Sequence, residues 1–257
     1  MNFPIVVLQA RTGSSRLPYK MLRPFYEDKP ILEILLTRLR SALPEPDNRI
    51  VVATTVSPGD DAIVELCDRL GVKWFRGSEN DVLSRFIDVA EREKSEKLIR
   101  VCADNVFLDT VALRTLYETL ISTDFDYVSF MRSDDTPSIK THYGFWAEGV
   151  TADALKRAAE ATDDSIYHEH VTNFIYGHPD LFRCHFLPIE ESVEGIENHP
   201  YLRLTVDTLD DFEIQRTIFS DFVTKRIDIT PRNLIAYLDE RPAMYAVMKK
   251  NIEINSK

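Results

Sequence analysis

The stretch Ile5-Val6-Val7-Leu8-Gln9-Ala10-Arg11-Thr12-Gly13-Ser14-Ser15-Arg16-Leu17-Pro18-Tyr19-Lys20 runs a short β-forming segment into a loop rich in glycine, serine and arginine. An apolar-periodic stretch from Ile31 to Ala42 follows, so the opening reads as strand, loop, helix. In an open parallel sheet, ligands bind at the carboxyl ends of strands, where this loop sits. Its chemistry suits a triphosphate. Gly13 lets the backbone approach closely, Ser14 and Ser15 offer hydroxyl and amide donors, and Arg11, Arg16 and Lys20 bring three positive charges. A basic surface loop is the competing reading. The loop lacks the Gly-Lys-Ser/Thr ending of a P-loop and the G-x-G-x-x-G of a dinucleotide site, so neither class is supported.

Working outward, the alternation continues. Ile50 to Ala53 reads as a buried strand, Asp60 to Leu70 as a helix, Lys73 to Phe75 as a strand, Asp81 to Glu93 as a helix, and Leu98 to Val101 as a strand. A helix then runs from Asp109 or Thr110 to about Leu120. Strands alternating with helices predict a doubly wound α/β fold with a mostly parallel sheet. After a strand at Tyr127 to Met131 the segment Arg132 to Tyr143 reads as an extended loop. Further helices are expected over Thr151 to Ala161, Ile166 to Tyr176 and Asp210 to Phe222, with strands near Phe182 to Leu187 and Leu202 to Val206. The division is one main domain over residues 1–225, with 226–257 a helical extension that packs on the body or on a second subunit.

The chain of 257 residues, 44% hydrophobic and 28% charged, has the balance of a globular protein. A formal net charge of -11 argues against wrapping a nucleic-acid backbone. No run approaches the length needed to cross a bilayer, and Met1-Asn2-Phe3-Pro4 leads into the first strand without a basic leader, so a cytoplasmic protein without membrane insertion is expected. Cys67, Cys102 and Cys184 are widely spaced and read as small apolar fillers.

Two more carboxylates stand at expected strand ends. Asp104 follows Leu98 to Val101, and Asp207 follows Leu202 to Val206. Together they suit Mg²⁺, a hard cation that keeps several waters. A turn or cap role competes for Asp104, and an N-cap role competes for Asp207 in Asp-Thr-Leu-Asp-Asp.

The string R-x-G-S-x-R-L-P-x-K resembles the signature of the CMP-sugar synthetases, in particular the branch of cytidylyltransferases associated with spore-coat polysaccharide synthesis. Further matches follow in order: Ile50 to Thr55, Asp60-Asp61-Ala62-Ile63, Phe75 to Leu83, Glu169-His170-Val171-Thr172, and Val206-Asp207-Thr208 with Asp211. The resemblance spans residues 5 to 222. It implies the nucleotide-diphospho-sugar transferase type of fold, which is GT-A-like and Rossmann-like. The activity it implies is transfer of CMP from CTP to an acidic, nonulosonate-like sugar with release of pyrophosphate.

By that resemblance, Arg11, Ser14, Arg16 and Lys20 grip the phosphates, and Arg76 and Ser78 lie near cytosine and ribose. Asp104 and Asp207 match metal-binding aspartates, and His142, Glu148, Glu169 and His170 border the sugar site. Arg11, Arg16, Lys20 and Asp104 are the expected catalytic groups, working by positioning and charge neutralisation. Read without the family, Arg76 and Ser78 also fit a loop that caps the next helix, and His170 also fits a hydrogen-bonded helix residue. Similar proteins are often dimers, which makes a homodimer compatible. The chain departs from the family pattern in three places. Tyr19 stands where glycine is usual, Ala103-Asp104-Asn105-Val106 replaces Gly-Asp-Cys-Pro, and His168 replaces an arginine. These leave open a phosphorylated or phosphonate acceptor, or a non-catalytic nucleotide-binding module.

Overall fold

The computed structural model describes residues 3–43 and 49–254. The opening stretch forms strand β1 (Ile5–Gln9), and its side chains explain the layering. Successive residues of a strand point to opposite faces. Val6 and Leu8 enter one hydrophobic core, and Ile5 and Val7 enter another. A strand apolar on both faces belongs in the centre of a sheet covered on both sides.

The main sheet has seven strands in the order β5-β4-β1-β6-β8-β7-β9. They are β4 (Ile50–Thr55), β5 (Lys73–Gly77), β6 (Lys97–Cys102), β7 (Tyr127–Met131), β8 (Glu148–Thr151) and β9 (Cys184–Pro188), with a separate hairpin of β2 (Pro24–Tyr26) and β3 (Lys29–Pro30). Strand β8 is antiparallel to both β6 and β7; the other pairings in the sheet are parallel. From β1 the chain passes to β4 on one side and later to β6 on the other, so the order reverses at β1 and a crevice opens at its carboxyl end.

Helices α1 (Ile31–Ala42), α2 (Asp61–Leu70), α4 (Thr110–Ser122), α9 (Leu209–Lys225), α10 (Pro231–Asp239) and α11 (Pro242–Ile254) feed the core that contains Val6 and Leu8. The opposite core receives α3 (Val82–Arg92), α5 (Ala152–Ala161) and α7 (Asn173–Gly177). Two short helices, α6 (Ser165–Glu169) and α8 (Ile189–Ser192), complete the set among the described residues. The C-terminal helices lie on the body: Met248 is buried in the first core, and Asn251 donates to Asp211 at 3.1 Å. Among the described residues no helix is long and apolar enough to cross a membrane.

Four local expectations change. The apolar run Leu202 to Val206 is no strand, although it is buried. It makes isolated backbone bonds instead, from Leu204 to the His142 carbonyl and from Val206 to the Asp104 carbonyl. Alternation reports burial, and an irregular segment pressed on a core shows the same pattern. The helix expected over Ile166 to Tyr176 is split into α6 and α7 by a turn at Val171, which has φ 45°. A β-branched residue rarely adopts that conformation. Strand β8 was hidden because it carries Glu148, whose charge is compensated only by residues distant in sequence. The β2–β3 hairpin turns on Glu27 and Asp28, both with positive φ, as a tight two-residue turn requires.

Candidate active site

The loop after β1 is held from beneath by a carboxylate. Asp60 is buried and accepts from the Thr12 amide and hydroxyl, both at 2.7 Å, and from the Thr54 hydroxyl, the Thr55 amide and the Thr55 hydroxyl at 2.8, 3.0 and 2.5 Å. Burial alone would raise its pKa, but the donors, Thr55 and Thr12 foremost, outweigh that and hold it below the usual aspartate value. Asp60 therefore ties the loop to the end of β4. The sequence marked it as a helix start and as part of a matching segment, without this role.

Within that loop Lys20 reaches back over the sheet. Its ammonium donates to Asp104 Oδ2 at 3.0 Å and to the Val206 carbonyl at 2.5 Å, and lies 3.7 Å from Asp207 Oδ1. Burial opposes its charge, but Asp104 and Asp207 win and its pKa is raised. Arg16 pairs with Asp207 at 3.1 Å.

Asp207 is in turn set by Arg203, a buried guanidinium that donates to Asp207 Oδ2 at 2.8 Å and to Asp211 Oδ1 at 2.8 Å. Its third contact, at 2.7 Å, is Nδ1 of His142. Because a guanidinium only donates, His142 accepts at Nδ1 and carries its proton on Nε2. Burial pushes the Asp211 pKa up, and Arg203 more than reverses that, leaving it lowered.

These groups line two cavities that share Arg16, Cys102 and Asp104. The smaller, about 350 Å³, is walled by Arg11, Ser14, Ser15, Lys20, Glu169 and Asp207 besides the shared residues. The larger, about 600 Å³, includes Arg100, Asn105, Lys140, His170 and Tyr176. A third depression of about 420 Å³ beside Trp74 and Arg92, at the edge strand β5, shares no residue with either.

The structure thus gathers Arg11, Ser14, Ser15, Arg16, Lys20, Asp104, Glu169 and Asp207 around one cavity and His170 on the next. Gly13 lies within the same loop, close to Glu79. Arg76 and Ser78 line neither cavity. Arg76 donates to the Thr55 and Ser57 carbonyls, both at 2.8 Å, and to Asp61 at 2.6 Å, and Ser78 Oγ accepts from the Asp81 amide at 3.0 Å. His142 braces Arg203 from outside the cavity walls. Tyr19 has φ 58° and lines neither cavity, so it adopts the left-handed backbone that glycine favours without narrowing either one.

Glu148 is 2% exposed and lies behind the wall. It pairs with Arg100 at 2.6 Å and accepts from the Tyr127 and Thr172 hydroxyls at 2.5 and 2.7 Å. Thr172 follows the Val171 turn, closed by a 2.5 Å bond from its amide to the His170 carbonyl, so Glu148 anchors the segment that presents His170. Among the cysteines, burial pushes the Cys67 thiol up to about 12 and Cys184 to about 11, as for inert core thiols, whereas Cys102 lies on both cavity walls.

A divalent cation fits the donor set. Asp104 Oδ2 and Asp207 Oδ1 lie 3.0 and 3.7 Å from the one Lys20 ammonium, and these two carboxylates are the oxygen donors such an ion would take. Among the described residues no group of three acidic, histidine or cysteine side chains could hold a metal, so the remaining positions would fall to water and phosphate oxygens, as Mg²⁺ prefers.

The sequence matches the cytidylyltransferase family over residues 5–240. It is 39% identical over 253 residues to an uncharacterized protein of Methanocaldococcus jannaschii, covering 98% of this chain and 94% of that one. It is 36% identical over 246 residues to the spore coat polysaccharide biosynthesis protein SpsF of Bacillus subtilis, covering 94% and 96%. Its fold superimposes on a cytidylyltransferase from Leptospira borgpetersenii with a TM-score of 0.80 at 25% identity, covering 95% and 97% of the two chains. With a basic loop and two carboxylates meeting at the end of β1 and a family match that runs from β1 through α10, this chain belongs to the cytidylyltransferase family.

Proposed function

We propose that the protein is a Mg²⁺-dependent cytidylyltransferase that transfers CMP from CTP to an acidic sugar in surface polysaccharide synthesis. The observation that carries this reading is the meeting of two cavities at Asp104, with Lys20 between Asp104 and Asp207. The cationic cavity of Arg11, Arg16 and Lys20, with Ser14 and Ser15, receives the triphosphate. The larger cavity receives the acceptor, and the α-phosphorus lies where the two join. The likeness to SpsF supports the polysaccharide setting.

In the transfer an acceptor hydroxyl oxygen bonds to the α-phosphorus and its proton passes to solvent water. The bond from that phosphorus to the bridging oxygen breaks, and pyrophosphate leaves with the electron pair into the cationic cavity. Arg11, Arg16 and Lys20 neutralise the charge that builds on the leaving group. Asp104 and Asp207 would hold Mg²⁺, which would polarise the phosphoryl oxygens and acidify a hydroxyl bound to it.

Titration calorimetry with CTP, UTP, ATP and GTP, each with and without Mg²⁺, tests this. CTP should bind in preference to the others and more tightly with the metal. Equal binding of all four, or indifference to Mg²⁺, would sink the reading in favour of a nucleotide-binding module.

A further inference from the structure

Three arginines are buried among the described residues, and one of them has no counter-charge. Arg100 pairs with Glu148 at 2.6 Å, and Arg203 pairs with Asp207 and Asp211, both at 2.8 Å. Arg85, on α3, is 0% exposed and pairs with no carboxylate among the described residues. Its guanidinium makes one hydrogen bond there, from Nη1 to the Ser78 carbonyl at 2.9 Å, and its Nε is buried without a partner. The side chain is held in place across Gly77, where a Cβ would stand 3.0 Å from its Cγ. An unpaired buried charge costs stability, so the position calls for a partner that the unliganded chain does not supply.

The groups around Arg85 lead to the loop after β1. Ser78 precedes Glu79, whose Oε1 stands 3.4 Å from where a Cβ on Gly13 would lie. Asp60, Asp81 and Glu79 favour the charge on Arg85 from a distance. Asp60 is engaged by Thr12, Thr54 and Thr55, and Asp81 by the Ser84 amide and His168. Arg11, on the loop itself, opposes the charge, and its own partner is the exposed Glu169 at 3.9 Å. Burial foremost, with Arg11 adding to it, lowers the Arg85 pKa to about 10, which leaves the group charged at neutral pH. Arg11 lines the smaller cavity and Arg85 lines neither, so one cation stands on the wall and the other behind it.

We infer that Arg85 is a positioning residue for a polyanion: an unpaired cation behind the loop after β1, whose counter-charge is the phosphates of the ligand, acting through the loop and not by contact. The inference rests on the reading that this loop takes the triphosphate, and it adds a group that the cavity walls do not show. Such a cation works against the free protein and for the complex. A clamp on the Ser78 carbonyl would stabilise both, which separates the two roles.

The test is titration calorimetry with tripolyphosphate, CTP and ATP in Mg²⁺-free buffer, together with urea unfolding without ligand, on the native protein, Arg85→Gln and Arg85→Lys. Glutamine keeps a donor for Ser78 and removes the charge, whereas lysine keeps the charge. Arg85→Gln should raise the Kd for tripolyphosphate and CTP by about 10-fold, the scale of one charge acting through several ångströms of protein. Without ligand it should unfold at the same or a higher urea concentration than the native protein. Arg85→Lys should recover most of the affinity. Native tripolyphosphate affinity in Arg85→Gln, or a lowered unfolding midpoint, overturns the inference and leaves Arg85 a clamp on Ser78. An equal loss of affinity in Arg85→Lys overturns it as well, because charge is then not the property that matters. Tripolyphosphate binding that weakens in Arg85→Gln, with CTP taken no better than ATP, leaves the inference standing and removes the cytidylyl reading. Failure of the native protein to bind any of the three removes both.

Discussion

Two buried arginines flank the site and are used differently. Arg100 faces one carboxylate, Glu148, whose other partners are the neutral hydroxyls of Tyr127 and Thr172. Arg203 faces two, Asp211 and Asp207. The first cluster closes on itself and serves as a wall. The second has a surplus carboxylate, and Asp207 carries that negative charge to the cavity edge, where Arg16 and Lys20 meet it. An ion pair buried with matched charge contributes shape, whereas one buried with unmatched charge extends its field into the neighbouring site.

The largest effect should come from breaking the closed cluster. Glu148→Ala leaves Arg100 buried without its counter-charge and should cost about 3–5 kcal/mol of stability, read from urea unfolding. It also frees Thr172 and the strained turn at Val171, so His170 loses its support. A variant as stable as the native protein would show that Glu148 is no structural keystone.

On the open side the loss should appear in turnover. Asp104→Ala should lower kcat by about 100- to 1000-fold, the scale for removing one preorganised electrostatic group, with the unfolding midpoint little changed. Lys20 keeps Asp207 and the Val206 carbonyl as partners. Native kcat in this variant would remove Asp104 from the catalytic set.

A smaller effect sharpens the comparison from the C-terminus. Asn251 donates from α11 to Asp211, so it supports the open cluster from behind. Asn251→Ala should cost about 1 kcal/mol. If it lowers kcat more than it raises KM for CTP, the tail acts on the alignment of Asp207. If both stay native, the contact is purely structural.

The smallest effect is one of pH. His168 has Asp81 3.0 Å from Nδ1 and the Thr162 carbonyl 2.9 Å from Nε2, so only the doubly protonated ring can donate to both. The Thr162 bond first, then Asp81, raises its pKa above the ordinary histidine value. A raised folded-state pKa contributes stability that is complete below about pH 6.5 and fades as pH rises through the folded value. His168→Gln should flatten that part of the stability profile measured between about pH 5.5 and 8. A profile identical to the native one would show that the latch contributes nothing.

The sequence by itself determined the parallel half of the fold and the position of the basic loop at the end of β1. Ile5 to Leu8 and Ile50 to Ala53 are apolar enough for burial on both faces. Gly13, Ser14, Arg16 and Lys20 are adjacent in the chain, so local reading could place them on one strand end. Asp104 and Asp207, singled out for following expected strands, do stand on the wall of the same cavity. What only the tertiary structure decided was how the remaining charges are spent. Arg76 was legible as a cation after a strand, but its three hydrogen bonds clamp the loop after β4 and the start of α2. Glu148 looked like a ligand contact until Arg100, 48 residues away in the chain, took its charge. Arg203 passed unnoticed inside Leu202 to Val206, because its partners Asp207 and Asp211 converge on it only once the segment leaves strand geometry. Periodicity reports which face is apolar, whereas a buried charge is settled by its counter-charge, and the fold alone brings the two together.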